Sequence, residues 1–159
     1  MQVREDFKYI ANPYNEDEKV VAIPPITPKV ALFHGYQADR DGNVIADASQ
    51  NNKLLAQATR GDVIATVEQV VEKLEWNSGR MYIPGHYITC IVHSPGGAHP
   101  TYCPGFYKID SDHMKYYLKA AARQETWQKY LQKYIYNPSQ PKKYGDLVDW
   151  EKIREGAEK

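Results

Sequence analysis

Three short apolar runs constrain this chain's fold more than anything else in it: Lys29-Val-Ala-Leu-Phe-His34, Val63-Ile-Ala-Thr-Val67 and Tyr87-Ile-Thr-Cys-Ile-Val92. Each is rich in β-branched or large apolar residues, is too short for a helix that offsets its own nucleation cost, and fits a buried strand. Each ends in a polar or glycine-containing loop. Val44-Ile45-Ala46 is a further brief strand, and Ser49 is placed to cap a short helix carrying Leu54, Leu55 and Ala58. Past residue 67 the pattern is ambiguous, because Val67, Val70, Val71 and Leu74 sit at helical spacing; the strand is expected to stop at Val67 and give way to a turn.

From residue 110 the periodicity changes. Asp110 or Ser111 is the expected cap of a helix with Met114, Tyr117, Leu118 and Ala121 on its apolar stripe, and Trp127, Tyr130, Leu131 and Tyr134 form a second stripe. The two are out of phase, which predicts two helices over 110–136 with a break near Arg123–Glu125. The tail, 137–159, reads as loop followed by a last helix from about Asp149. At the other end, residues 1–29 are polar, with Pro13, Pro24, Pro25 and Pro28, and read as an extended, proline-rich lead-in. Short strands followed by helical patterns predict an α/β fold: a mostly parallel open sheet with flanking helices and a helical C-terminal third. The 159 residues suit a single domain.

Composition excludes several classes of function. Twenty basic side chains balance twenty acidic ones, so the chain lacks the basic footprint of non-specific nucleic-acid binding. Lys115, Lys119 and Arg123 recur at helical spacing, as on a solvated helix face. Tyrosines alternate with lysines in the C-terminal half, but Tyr117, Tyr130 and Tyr134 lie on the apolar stripes and read as core. No apolar run reaches the length of a membrane span, and the first ten residues lack a secretory core segment. Two cysteines do not make a disulfide scaffold, and the expected compartment is the cytoplasm.

In parallel α/β sheets, ligands bind beyond the carboxyl ends of the strands. The loops there begin at His34, running through Gln37 and Asp39 to Asn43; at Glu68; and at Pro95-Gly96-Gly97-Ala98-His99-Pro100. Together they offer an imidazole, carboxylates, an amide and backbone N–H groups. Asp39 and Asp41 also suit a turn, and Gly96-Gly97 without a following helix is no phosphate loop. Cys90, His93, His99 and Cys103 superficially resemble a zinc knuckle. An odd separation along a strand, however, turns Cys90 and His93 to opposite faces, and no metal is expected. Cys90 reads as a small buried apolar residue.

These loops carry a resemblance. The run from Pro28 through His34, Gln37, Asp39 and Gly42-Asn43-Val44 resembles family I coenzyme A transferases, specifically the α subunit of the glutaconate CoA-transferase type. Thr66-Val67-Glu68, Ile83-Pro84-Gly85, Pro95 to Pro100 and Gly105-Phe106-Tyr107 follow in the same order, and the match runs over about residues 10–136. Those α subunits are about twice as long. The Gly-Gly-Phe signature of their amino-terminal half has no counterpart here, and neither does the Ser-Glu-Asn-Gly-type motif of the nucleophilic glutamate in the β subunit. The chain therefore resembles the carboxyl-terminal half of an α subunit, as a truncation or as one piece of a split protein.

The resemblance implies CoA transfer between an acyl-CoA and a carboxylic acid, through a glutamyl-CoA thioester on a partner subunit. It implies no catalytic residue in this chain, inactivity of the chain alone, and no tightly bound cofactor, coenzyme A thioester being substrate. The implied partners are a β subunit, a separate amino-terminal α half, or both, in a hetero-oligomer without nucleic acid or membrane. Gln37, Asp39, Asn43, Glu68, Gly96, Gly97, Ala98 and His99 would line the pocket, with the Gly96–His99 backbone supporting an oxyanion. One alternative is a family relative that hydrolyses a carbon–carbon bond in ring-containing CoA thioesters; another is a non-catalytic binding or scaffold module.

Overall fold

The computed structural model describes residues 5–75, 78–136, 143–155 and 157. Its centre is a five-stranded sheet in the order β6-β4-β3-β5-β7. The strands are β3 (Val30–Ala38), β4 (Val44–Asp47), β5 (Asp62–Val70), β6 (Arg80–Ile83) and β7 (Cys90–His93). β3 pairs parallel with β5, and β5 parallel with β7, whereas β4 is antiparallel to both β3 and β6. Four of the five strands thus point the same way, with β4 reversed, and the expected α/β sheet is a mixed one. Reversal of β4 follows from the connection before it: Ala38 is joined to Val44 by a turn too short for a crossover. Gly42 takes φ +86° in that turn.

The sheet is covered unevenly. On one face, Phe33, Val63, Ala65, Val67 and Ile83 pack with Ala56 of α1 (Asn52–Ala58). On the other, Tyr36 and Ile45 pack under Cys103, Tyr107 and Ile153, the last from α4 (Trp150–Arg154). Register places Leu32 beside Ile64 and Ile64 beside Cys90, then His34 beside Thr66 and Thr66 beside Val92. The row nearer the start of these strands is bare: Leu32 is 65% exposed and Val30 58%.

Helices α2 (Ser111–Ala121) and α3 (Gln124–Leu131) form the expected pair, followed by a π-helical turn over Gln132–Tyr136. Asp110 caps α2 by accepting the His113 N–H at 2.9 Å. The break falls at Ala122–Arg123, where Arg123 leaves helical geometry. The second stripe packs as expected, with Tyr130 and Tyr134 buried. The first is rotated: His113 and Ala120 are buried, whereas Leu118 is 63% exposed. Ring contacts accompany this, since His113 sits against Tyr130 and Tyr134, and the bond between its Nε2 and the Tyr130 hydroxyl offsets the cost of burying a polar ring.

Four further expectations are corrected. Strand β5 runs on to Val70, because its pairing with β3 continues through Gln37–Gln69 and Ala38–Val70; register prevails over the helical spacing. Asn51, not Ser49, is the N-cap of α1, and Ser49 instead donates to Asp47. Cys90 is exposed, on the bare row of the sheet. The lead-in is not merely extended: β1 (Lys8–Asn12) and β2 (Asn15–Ala22) form an antiparallel hairpin outside the main sheet. The turn at Asn12-Pro13-Tyr14 was legible, but the flanking residues are too polar to show strand alternation. The last helix starts beside Asp149, whose carboxylate accepts from the Lys152 N–H; the loop expected at 137–142 lies outside the described residues.

Ile83 and Leu32 test this layering. Ile83 has no exposed surface, and Ile83→Ala should destabilise the isolated chain by about 2–5 kcal/mol. Leu32→Ala should stay within about 0.5 kcal/mol. Urea denaturation of both variants beside the wild type reads the difference.

Candidate functional site

The parallel register of β3 and β5 sets His34, Thr66 and Glu68 on one sheet face, and the loop after β7 closes over them. The His34 ring bridges the two strands, with Nδ1 2.7 Å from Thr66 Oγ1 and Nε2 2.7 Å from Glu68 Oε1. Glu68, 4% exposed, takes two more hydrogen bonds: the Tyr107 hydroxyl donates to Oε1 at 2.7 Å and the Gly96 N–H to Oε2 at 2.8 Å. Tyr107 in turn accepts the Ala98 N–H at 2.9 Å. An ionised carboxylate only accepts, so the Nε2 proton of His34 points at Glu68. His93 Nε2 donates to the Glu68 carbonyl at 3.2 Å.

Burial works to raise the Glu68 carboxyl, but the hydrogen bonds from His34, Gly96 and Tyr107 outweigh it and hold it below its ordinary value. Its charge acts on the neighbours. The Tyr107 hydroxyl is raised by burial and by its bond to Glu68. The Cys103 thiol is pushed up to about 12, by burial and then by Glu68, which removes it as a nucleophile at neutral pH.

The two loop glycines are there for space. At Gly96, with φ +79°, a Cβ would stand 2.2 Å from the Trp150 ring; at Gly97 it would stand 2.7 Å from Cε1 of His34. Every N–H of this loop is already committed. Gly96 donates to Glu68, Gly97 to the Ser94 carbonyl, Ala98 to Tyr107 and His99 to the Gly96 carbonyl. The expected oxyanion support from the Gly96–His99 backbone is therefore not available in this arrangement: the donors hold the loop in place.

The remaining expected residues divide. Ala98 lines an open cavity of about 280 Å³ with His34, Tyr36, Asp47, Thr101 and Cys103. Arg80 stacks 4.1 Å over the Tyr36 ring at the edge of that cavity. Glu68 lies behind His34, out of the cavity wall. Asp39 and Asn43 build the β3–β4 turn: Asp39 accepts from the Asp41 and Asn43 backbone N–H groups and the Asn43 amide, and Asn43 accepts from the Gly85 N–H. Gln37 donates to Gln69 on the exposed part of the sheet.

His99 leaves the loop in the opposite direction, into the aromatic layer under α2 and α3, where it meets Tyr144 and Asp110. Sequence reasoning missed Thr66, Tyr36, Tyr107 and Cys103 as parts of this site. Only the spacing of Thr66 and Glu68, two apart on one strand, could have marked one of them.

Glu68→Gln should cost about 1–3 kcal/mol at pH 7, because the amide turns an N–H toward donors. The folded carboxyl is depressed, so its stabilisation is full above about pH 4.5, the ordinary value, and fades as pH falls through the folded value. The wild-type advantage over Glu68→Gln should therefore shrink below that pH, which urea titrations at a series of pH values measure.

Among the described residues no helix is long and apolar enough to cross a membrane. The chain is 33% identical over 134 residues to the α subunit of glutaconate CoA-transferase from Acidaminococcus fermentans, covering 82% of this chain and 42% of that one. Against the α subunit of 3-oxoadipate CoA-transferase from Pseudomonas knackmussii it is 29% identical, over 84% of this chain and 47% of that one. It thus spans about half the length of these curated relatives. The solved structure of glutaconate coenzyme A-transferase from Acidaminococcus fermentans superposes with a TM-score of 0.81 at 29% identity, over 94% of this chain and 48% of that one. A variant of the decarboxylase AibA/AibB superposes with a TM-score of 0.67 at 34% identity, over 81% and 48%. The family model described as coenzyme A transferase matches residues 13–94, more than half of the chain, and with the shared fold it establishes that this protein belongs to the coenzyme A transferase family.

Proposed function

We propose that this chain is the carboxyl-terminal half of the α subunit of a CoA-transferase and works at an interface with a glutamate-bearing partner. The observation that carries this reading is the fold match to glutaconate coenzyme A-transferase over nearly the whole chain. In the reaction, a partner glutamate attacks the acyl-CoA carbonyl and expels CoA thiolate, leaving a mixed anhydride. The thiolate attacks the glutamyl carbonyl of that anhydride, releasing the first acid and forming the enzyme thioester. An acceptor carboxylate then reverses both steps, and no electrons are exchanged.

This chain's part is to shape the pocket. The acyl end would sit in the cavity between His34, Tyr36 and Ala98. The Gly96–His99 loop and Glu68 would brace it from behind by fixing His34 and Ala98, while Asp39 and Asn43 hold the β3–β4 turn and Gln37 stands on the exposed part of the sheet. The exposed Val30, Leu32 and Val92, in neighbouring rows of one sheet face, support a partner covering that face.

Glu68 is not the nucleophile in this reading. Three donors already occupy its oxygens, and the chain alone is inactive. A second reading rests on the likeness to the decarboxylase AibA/AibB: the assembled protein would break a carbon–carbon bond in a CoA thioester. This reading shares that step with the ring-cleaving hydrolase alternative.

The tagged chain, purified from its source cells with whatever binds it, should exchange radiolabelled acetate, glutaconate or 3-oxoadipate into an acyl-CoA. Borohydride should inactivate the complex only after acyl-CoA is added, by reducing the thioester, and the chain alone should be inert. Carbon dioxide release without exchange would move the assignment to the decarboxylase reading. Exchange by the isolated chain would overturn the assignment of the nucleophile to a partner.

A further inference from the structure

Beyond the sheet, His99, Asp110 and His113 converge under α2. One ring nitrogen from each histidine and one Asp110 oxygen lie within 4.8 Å of one another. We propose that these three side chains form a divalent transition-metal site of the zinc class, at the inner end of an open cavity lined by Asp110, Asp112, His113, Tyr116, Lys133 and Tyr134.

Spacing, preorganisation and charge all favour it. His99 Nε2 and Asp110 Oδ2 are 3.2 Å apart, and two ligands about 2.1 Å from a tetrahedral zinc stand about 3.4 Å from each other. Each imidazole is also held by a phenol at its far side. His99 Nδ1 is 2.6 Å from the Tyr144 hydroxyl, and His113 Nε2 is 2.9 Å from that of Tyr130. Zinc would displace the proton that His99 Nε2 donates to Asp110; with the ring protons then on the phenol-facing nitrogens, the other nitrogen of each ring offers its lone pair. This is the outer-shell arrangement that orients metal-ligating histidines.

Two imidazoles with one carboxylate are a donor set that suits zinc, and the adjoining cavity of about 340 Å³ leaves room for a water as fourth ligand.

Among the described residues, the other cluster of this kind, His34, Glu68 and Cys103, is a poorer candidate. Glu68 there has three donors on its oxygens, and the Cys103 thiol resists deprotonation. Asp110 divides its labour instead: Oδ1 caps α2 and Oδ2 faces the histidines.

The test uses the full 159-residue chain, stripped with a chelator and titrated with zinc against a chromophoric competitor. One equivalent should bind with micromolar or tighter affinity, and cobalt should give the intense visible bands of a four-coordinate site. Saturating zinc should raise the wild-type Tm.

Asp110→Asn keeps a helix cap while losing the charge, and it and His113→Gln should each weaken binding at least tenfold. Tyr144→Phe should weaken it about 10–100-fold through the lost outer-shell bond. His86→Asn, at an exposed histidine elsewhere, should change nothing. Absence of stoichiometric binding to the wild type would overturn the proposal. So would binding that survives both Asp110→Asn and His113→Gln.

Discussion

A carboxylate without exposed charge organises the centre of this molecule. Glu68 sits near the carboxyl end of the central strand pair, where an unpaired ionised group would carry a desolvation cost of several kcal/mol. It remains ionised because three donors reach it from separate parts of the chain: His34 from β3, Gly96 from the loop after β7, and Tyr107 from the segment before α2. Each donor is fixed in turn, His34 by Thr66 and Tyr107 by the Ala98 N–H. The network is closed. Among the described residues no buried side-chain polar atom lacks a partner, so the charge holds sheet, loop and C-terminal layer together.

The same closure explains why the glycine pair belongs in the loop. The chain must pass close enough to β5 to donate Gly96 N–H to Glu68, and that approach leaves no room for a side chain against Trp150 or the His34 ring. The loop's hydrogen-bond donors are committed to its own geometry. In the proposed function its contribution to a ligand would be shape: the Ala98 side of the cavity and the fixed attitude of the His34 imidazole.

Much of this was legible because the strands obey simple patterns. The runs around Phe33 and Val67 announced strands, and the change of phase between Ala121 and Trp127 announced two helices. The site was legible in part. The sequence marked the loops at the carboxyl ends of β3, β5 and β7, and parallel pairing of those strands brings them to one edge. Local pattern could not reveal partners distant in sequence. Glu68 meets Tyr107 across 39 residues and His99 meets Tyr144 across 45, and neither pair leaves a periodic trace. His99 illustrates the limit: its position between Gly97 and Pro100 marks it as a special residue, but only packing shows that it turns into the aromatic layer. The hairpin of β1 and β2 escaped for the opposite reason, since an exposed two-stranded ribbon needs no apolar face.

The closed network also bears on where covalent chemistry can occur. A nucleophilic carboxylate needs an oxygen with an unengaged lone pair, an open approach to a carbonyl, and enough basicity to attack it. Glu68 keeps a free lone pair only on Oε2 and fails on approach and basicity. Its oxygens are bonded to three donors, His34 stands between it and the cavity, and the same donors that keep it ionised lower its basicity. What stabilises the fold here disqualifies the group for attack. A carboxylate fit for that step would have to enter from outside this network, on the open side of the cavity near Ala98 and Thr101. In the proposed function, the buried glutamate would position the wall and a second carboxylate would react in front of it.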